Sequence, residues 1–137
     1  MKLSAKDRDL IAAANDLITR LYEPDRHHVA AALRTKAGRI FTAVHLDTYV
    51  GCCAVCAEAA VVAKALSEGE RDLDTIVAVR YRGKGTPKIV SPCGICRELL
   101  NDYGDPAVIY SNNGSVHKAR ASRLLPSRYA RQEEPRE

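Results

Sequence analysis

Along residues 4 to 22 the apolar positions Leu10, Ala13, Ala14, Leu17, Ile18 and Leu21 recur at helical spacing, and the Glu-Pro-Asp that follows ends the segment. The pattern predicts an amphipathic opening helix. The rhythm then changes. Residues 27–35 and 39–46 form two short apolar runs, the second β-branched and alternating, on either side of a turn ending in Gly38, which predicts a hairpin. Residues 56–69 are Ala-rich with Gly69 as a stop, which predicts a buried helix. A strand over 73–81 follows, then a polar loop over 82–92 with a short edge-like run, and a second helix over 93–104. Residues 106–113 read as a strand, and 114–129 as a short strand or turn with a last helical turn. This order predicts an α/β sandwich in which residues 1–130 are one domain and 131–137 a flexible C-terminal tail. There is no internal repeat and no linker.

A length of 137 residues suits a single domain that buries its core without disulfide staples. The first 22 residues carry charge every few positions and no unbroken apolar stretch, so neither a signal peptide nor a membrane span is expected and the protein is expected in the cytoplasm. In that reducing compartment five cysteines point to metal or catalysis rather than to disulfides. The net charge of +4 includes a basic C-terminal stretch, but with no Trp and a single Phe the chain is poor in base-stacking platforms, so no nucleic-acid partner is expected.

The cysteines fall where the pattern starts helices. Cys56 opens one middle helix. Cys93 and Cys96, at i and i+3 after Pro92, share one face of the first turn of the other. Free N–H groups and the positive end of a helix favour thiolate over thiol, and two such helix starts meeting would bring together three ligands of a tetrahedral zinc. The fourth position has two readings. If Cys53 fills it, Cys53-x-x-Cys56 and Cys93-x-x-Cys96 make a closed structural site. If water fills it, the site is open and catalytic, and zinc would lower the pKa of that water toward neutrality. Glu58 favours the open reading, because a carboxylate two residues beyond Cys56 can move protons to and from such a water, whereas a structural zinc has no use for it. Taken alone, Glu58 would be an ordinary first-turn glutamate suited to the helix dipole.

Cys56-Ala57-Glu58 together with Pro92-Cys93-Gly94-Ile95-Cys96 resembles the signature of the zinc-dependent nucleobase deaminases. With cysteine as first ligand and at this length, the chain is similar to the small homotetrameric cytidine deaminases, and more so to their blasticidin S deaminase branch, over about residues 28 to 129. The resemblance implies a three-layer α/β/α sandwich around a mixed five-stranded sheet. It also implies zinc on Cys56, Cys93 and Cys96, proton transfer by Glu58, and hydrolytic release of ammonia from the 4-amino group of a cytosine nucleoside or close analogue. The partner is then a small aminated pyrimidine nucleoside, and the assembly a homotetramer. A polynucleotide base deaminase is the neighbouring alternative.

Two segments depart from that family's pattern. His45-Leu46-Asp47 stands where Asn-x-Glu usually holds the ribose hydroxyls, so His45 and Asp47 are expected to contact substrate through an altered sugar pocket. His27-His28-Val29-Ala30-Ala31-Ala32 replaces Phe-x-Val-Gly-Ala-Ala and removes an aromatic from the pocket wall. Ala57, between the first ligand and Glu58, and Tyr129, after Leu125-Pro126, are the other substrate-contacting positions that the resemblance implies. Tyr129 would cover the base, often in a neighbouring subunit's site, or else be an ordinary tyrosine. Ala59 stands where many members place an arginine, while Arg97 is kept as a structural or supporting group. Cys52, His27, His28 and His117 read as loop, strand or surface residues.

Overall fold

The computed structural model describes residues 2–131; the expected tail lies almost wholly outside them. Helix α1 (Ala5–Leu21) is started by Ser4, whose hydroxyl accepts the Asp7 amide at 3.2 Å while the Asp7 carboxylate accepts the Ser4 amide at 2.9 Å. This reciprocal cap satisfies two of the amides that a helix start leaves free. The predicted stripe buries Leu10, Ala14 and Ile18. Leu21 lies on the same face but is 46 % exposed, at the last residue of the helix.

Strands β1 (Val29–Thr35) and β2 (Ile40–Val44) form the expected antiparallel hairpin. Helix α2 (Ala57–Ser67) leads to β3 (Leu73–Arg80), antiparallel to β1. A three-residue β4 (Lys88–Val90) follows, then α3 (Gly94–Asp102), β5 (Ala107–Asn112) parallel to β3, and β6 (Ser115–Arg120) antiparallel to β5. Five strands run in the order β2-β1-β3-β5-β6, as the expected mixed sheet requires. The edge-like run becomes a sixth strand, β4, paired with the C-terminal part of β3 beyond the reach of β5.

Successive side chains of a strand point to opposite faces, and the sheet uses both. Ala30, Ala32, Val77, Val79 and Ile109 pack on the Leu10–Ala14–Ile18 stripe of α1. Their neighbours Ala31, Leu33, Ile76, Ala78 and Val108 pack on Val61, Val62 and Ala65 of α2 and Leu100 of α3. Helix, sheet and helix pair make the three layers. On the second face α2 and α3 both begin at the sheet end formed by the C-terminus of β3 and β4, which places their first turns side by side. No helix among the described residues is long and apolar enough to cross a membrane.

Candidate metal and catalytic site

Cys56 and Cys93 are the N-cap residues of α2 and α3, both with extended backbone, and neither makes a side-chain capping bond. A serine there would turn its oxygen back onto the helix amides. The two thiols instead face each other with sulfurs 3.6 Å apart, and Cys96, one turn into α3, completes a cluster in which all sulfurs lie within 4.8 Å. Zinc–sulfur bonds of about 2.3 Å in a tetrahedron require sulfur–sulfur separations of about 3.8 Å, so the spacing fits that ion. The electrostatics fit it too. Cys96 is fully buried, and burial together with Glu58, Cys56 and Cys93 pushes its thiol far up. Burial and the Cys93 sulfur also raise Cys56. Cys93 is held below the usual thiol range, because the Cys96 and Ile95 amides and the two neighbouring thiols outweigh its own burial. Three adjacent thiols that burial works against ionising become stable thiolates once a cation sits among them.

Glu58 is 7 % exposed, in the first turn of α2, against an apolar wall of Ile76, Ala78, Val90, Pro92, Leu100 and Val108. Burial raises its carboxyl above the ordinary glutamate range, opposed only by its own backbone amide. Cys53 lies exposed in a 3-10 turn (Gly51–Cys53) and is not part of the thiol cluster. Cys52 is exposed beside it. The closed four-cysteine arrangement is therefore not the one the chain adopts.

Arg97 takes the structural of its two readings. Its Nε donates to the Pro92 carbonyl at 2.8 Å and its Nη1 to the Leu124 carbonyl at 2.9 Å, clasping the loop before Cys93 to the C-terminal segment. Ser91 fastens the same loop to β5 by donating its hydroxyl to the Ser111 carbonyl.

A second cluster stands at the outer end of the β1–β2 hairpin. One ring nitrogen each of His28 and His45 and a carboxylate oxygen of Asp47 lie within 4.8 Å of one another, and the two imidazoles meet edge to face at 4.1 Å. Leu46 and Val55 exchange backbone hydrogen bonds of 2.9 and 3.0 Å, closing the intervening loop and setting this cluster beside the residue that precedes Cys56. Nδ1 of His45 accepts the amides of His28 (3.3 Å) and Val29 (3.2 Å), so the ring proton resides on Nε2. Burial and the neighbouring His28 lower the His45 pKa, keeping the ring neutral. His28 reads from sequence as a strand or surface residue, and its membership is new. The signal was the hairpin register, which, continued outward from the Ala30–Val44 pair, sets residues 28–29 opposite 45–46.

Ala57 is buried in the core and Tyr129 is 80 % exposed, outside both core clusters. His117 stacks on Tyr110 at 5.5 Å on the β5–β6 hairpin, and His27 holds the His45 carbonyl through Nδ1 at 2.9 Å. His117 lies exposed within β6 and His27 in an isolated bridge with Glu23, the strand or surface settings their sequence context suggests.

Residues 4–112 match the family described as the cytidine and deoxycytidylate deaminase zinc-binding region. Blasticidin-S deaminase of Bacillus cereus is 45 % identical over 134 residues, covering 94 % of this chain and 96 % of that protein. A probable cytidine deaminase of Dictyostelium discoideum is 30 % identical over 106 residues, 77 % of this chain and 70 % of that one. The crystal structure of cytidine deaminase from Burkholderia pseudomallei superposes with a TM-score of 0.74 at 27 % identity, over 93 % of this chain and all of the other. A paired-thiol helix start, a buried glutamate and a match across most of the length thus coincide, and the chain belongs to the cytidine and deoxycytidylate deaminase family of enzymes.

Proposed function

We propose that this enzyme hydrolytically removes the 4-amino group of a cytosine nucleoside, or of an analogue such as blasticidin S, using zinc held by Cys56, Cys93 and Cys96. The observation that carries the reading is the cluster of three sulfurs at two converging helix starts with Glu58 buried next to it. Zinc bound there supplies a Lewis acid that acidifies water. Glu58 does the proton work. Its apolar wall raises the carboxyl above the ordinary glutamate range, which suits it to take one proton from water and deliver it to the ring nitrogen, and then to carry the second, from the hydroxyl so added, to the departing amine. The water oxygen bonds to the ring carbon, the carbon–nitrogen bond breaks, and ammonia leaves.

His45 and Asp47 recognise the sugar side. The tautomer set by two backbone amides presents an Nε2–H donor, and Asp47 offers an acceptor. Together they give one donor and one acceptor to a pair of hydroxyls. Ala57 contributes at the junction between ligand and general base, and Tyr129 reaches the site of a neighbouring subunit. A homotetramer is supported by the large apolar side chains left exposed on the segments that carry the thiols, Tyr49, Val50 and Ile95, and by Tyr129 itself. The working compartment in this reading is the cytoplasm.

The test is ammonia release by the zinc-loaded protein from cytidine, deoxycytidine, cytosine and blasticidin S, with Glu58→Gln alongside. Release that vanishes in the variant while zinc content is kept supports the reading. No release from any of the four overturns it.

A further inference from the structure

Cys52 and Cys53 stand outside the three-sulfur cluster and do no packing work. Both are exposed and free, neither side chain has a hydrogen-bond partner among the described residues, and neither belongs to a core cluster. An exposed thiol is open to oxidation and to exchange with other sulfur ligands, so an adjacent pair is a standing liability unless it is used. The turn that carries them is nevertheless ordered. The Cys53 amide donates to the Val50 carbonyl at 2.9 Å and the Ala54 amide to the Gly51 carbonyl at 3.1 Å, and the Leu46–Val55 neck closes the loop directly after. Cys53 precedes Cys56 by three residues, a spacing that holds the two Cα atoms within about 11 Å of each other.

The cluster they adjoin is unevenly accessible. Cys96 is fully buried, Cys56 is half-buried, and of the three only Cys93 is exposed. Zinc passes between sulfur sites by substitution, an incoming donor bonding before the outgoing one has left, because its coordination number expands more readily than it falls. A single exposed sulfur is a poor start for such an exchange. Two more on a short ordered turn improve it.

We propose that Cys52 and Cys53 are the loading thiols of the metal site, taking zinc from an external donor and passing it to Cys56, Cys93 and Cys96 without remaining bound. This rests on the zinc reading of the three-sulfur cluster. Each thiol that bonds gives its proton to solvent, and Cys52 and Cys53 recover theirs as they let go, so nothing is oxidised or reduced. A three-residue spacer confines the captured ion near the cluster at an effective concentration on the order of millimolar. Groups that touch the ion only in transit lower the barrier and leave the end states alone. They therefore speed loading and removal by the same factor and do not change affinity, which separates them from permanent ligands and from residues that shape the site.

The experiment follows zinc by absorbance as it passes from a chromogenic pyridylazo chelator to the metal-free full chain under reductant, and back to an excess of the same chelator. Cys52→Ser/Cys53→Ser is expected to slow both directions on the order of tenfold, with final zinc content and affinity equal to the parent's. Cys52→Ser/Cys53→His, which restores a zinc donor at the same exposed position, recovers most of the rate. Equal rates in the parent and the double serine variant overturn the proposal, as does a histidine variant no faster than the serine one. Lower zinc content or weaker affinity in the serine variant also overturns it, since the two thiols would then be permanent ligands or supports. A parent that takes up no zinc rejects the metal reading itself, whereas a parent that fills at the variant's rate rejects only the loading role.

Discussion

Two clusters of ionisable side chains at opposite ends of the sheet are built on opposite principles. At the sheet end formed by the C-terminus of β1 and the start of β3, Asp7 of α1 accepts Arg34 at 3.0 Å and Lys118 at 2.9 Å, and Arg34 also donates to Asp74 at 2.8 and 3.2 Å and to Thr75 at 3.1 Å. Burial works to raise the Asp7 pKa, but the Ser4 amide, Lys118 and Arg34 outweigh it and leave the carboxyl at about 2. Asp74 is likewise lowered, and Arg34 is raised, its carboxylate partners overcoming its burial. The chain's own residues favour the charged forms of Asp7, Asp74 and Arg34. At the other end, burial and like neighbours push Cys56 and Cys96 toward their neutral forms, and burial alone does the same to Glu58. A cluster whose charges are matched internally joins helix, sheet and hairpin. One whose charges are unmatched waits for something from outside.

The contrast breaks most sharply at the thiols. Cys96→Ser is expected to cost nearly all bound zinc, read by atomic absorption of the purified protein, whereas the same assay on Cys53→Ser should match the parent. Glu58→Gln should keep the metal and lower kcat by about 10²- to 10⁴-fold, the range of a lost general acid–base. At the matched cluster Asp7→Ala should leave zinc content unchanged and destabilise folding by about 3 kcal/mol or more, because Arg34 loses a partner in a buried setting. Denaturant melts check this, and normal stability would mean the cluster is ornamental. The pH dependence has a definite sign. A carboxyl near 3.8 in the unfolded chain and about 2 when folded stabilises above pH 4, and that contribution, roughly 2 kcal/mol, is lost as pH falls through 2. The acid limb of the stability curve should therefore flatten in Asp7→Ala. The smallest effect belongs to Arg97→Lys, which keeps the charge but cannot hold the Pro92 and Leu124 carbonyls together in the same fork. It should lower the melting temperature by a few degrees, on the scale of about 1 kcal/mol.

Sequence and structure agree where the information is local. The apolar periods place α1, the hairpin, α2, β3, α3 and β5, and helix-start logic brings together Cys56 and Cys93, 37 residues apart, without any knowledge of the sheet. Two local signals were present and unread. Ser4 three residues before Asp7 is a capping pair, and Asn113-Gly114, both at positive φ, is the tight turn that makes β6 a full strand paired with β5. The matched cluster could not be read at all. Asp7 meets Arg34 27 residues later and Lys118 111 residues later, and no spacing rule links groups that only the strand order brings together. His28 is intermediate, because the hairpin register carries it to His45 once the turn is known.

The paired neck at Leu46 and Val55 has a consequence for redesign. Since the two backbones are already joined there, residues 48–54 form a cassette whose ends do not depend on its contents. With Tyr49 and Val50 kept for the proposed subunit contacts and Cys52 and Cys53 for loading, its remaining positions are the natural place to vary length and composition, because the neck holds Cys56 in register with the sheet and brings new walls to within a few residues of the thiol cluster without touching the domain that carries it.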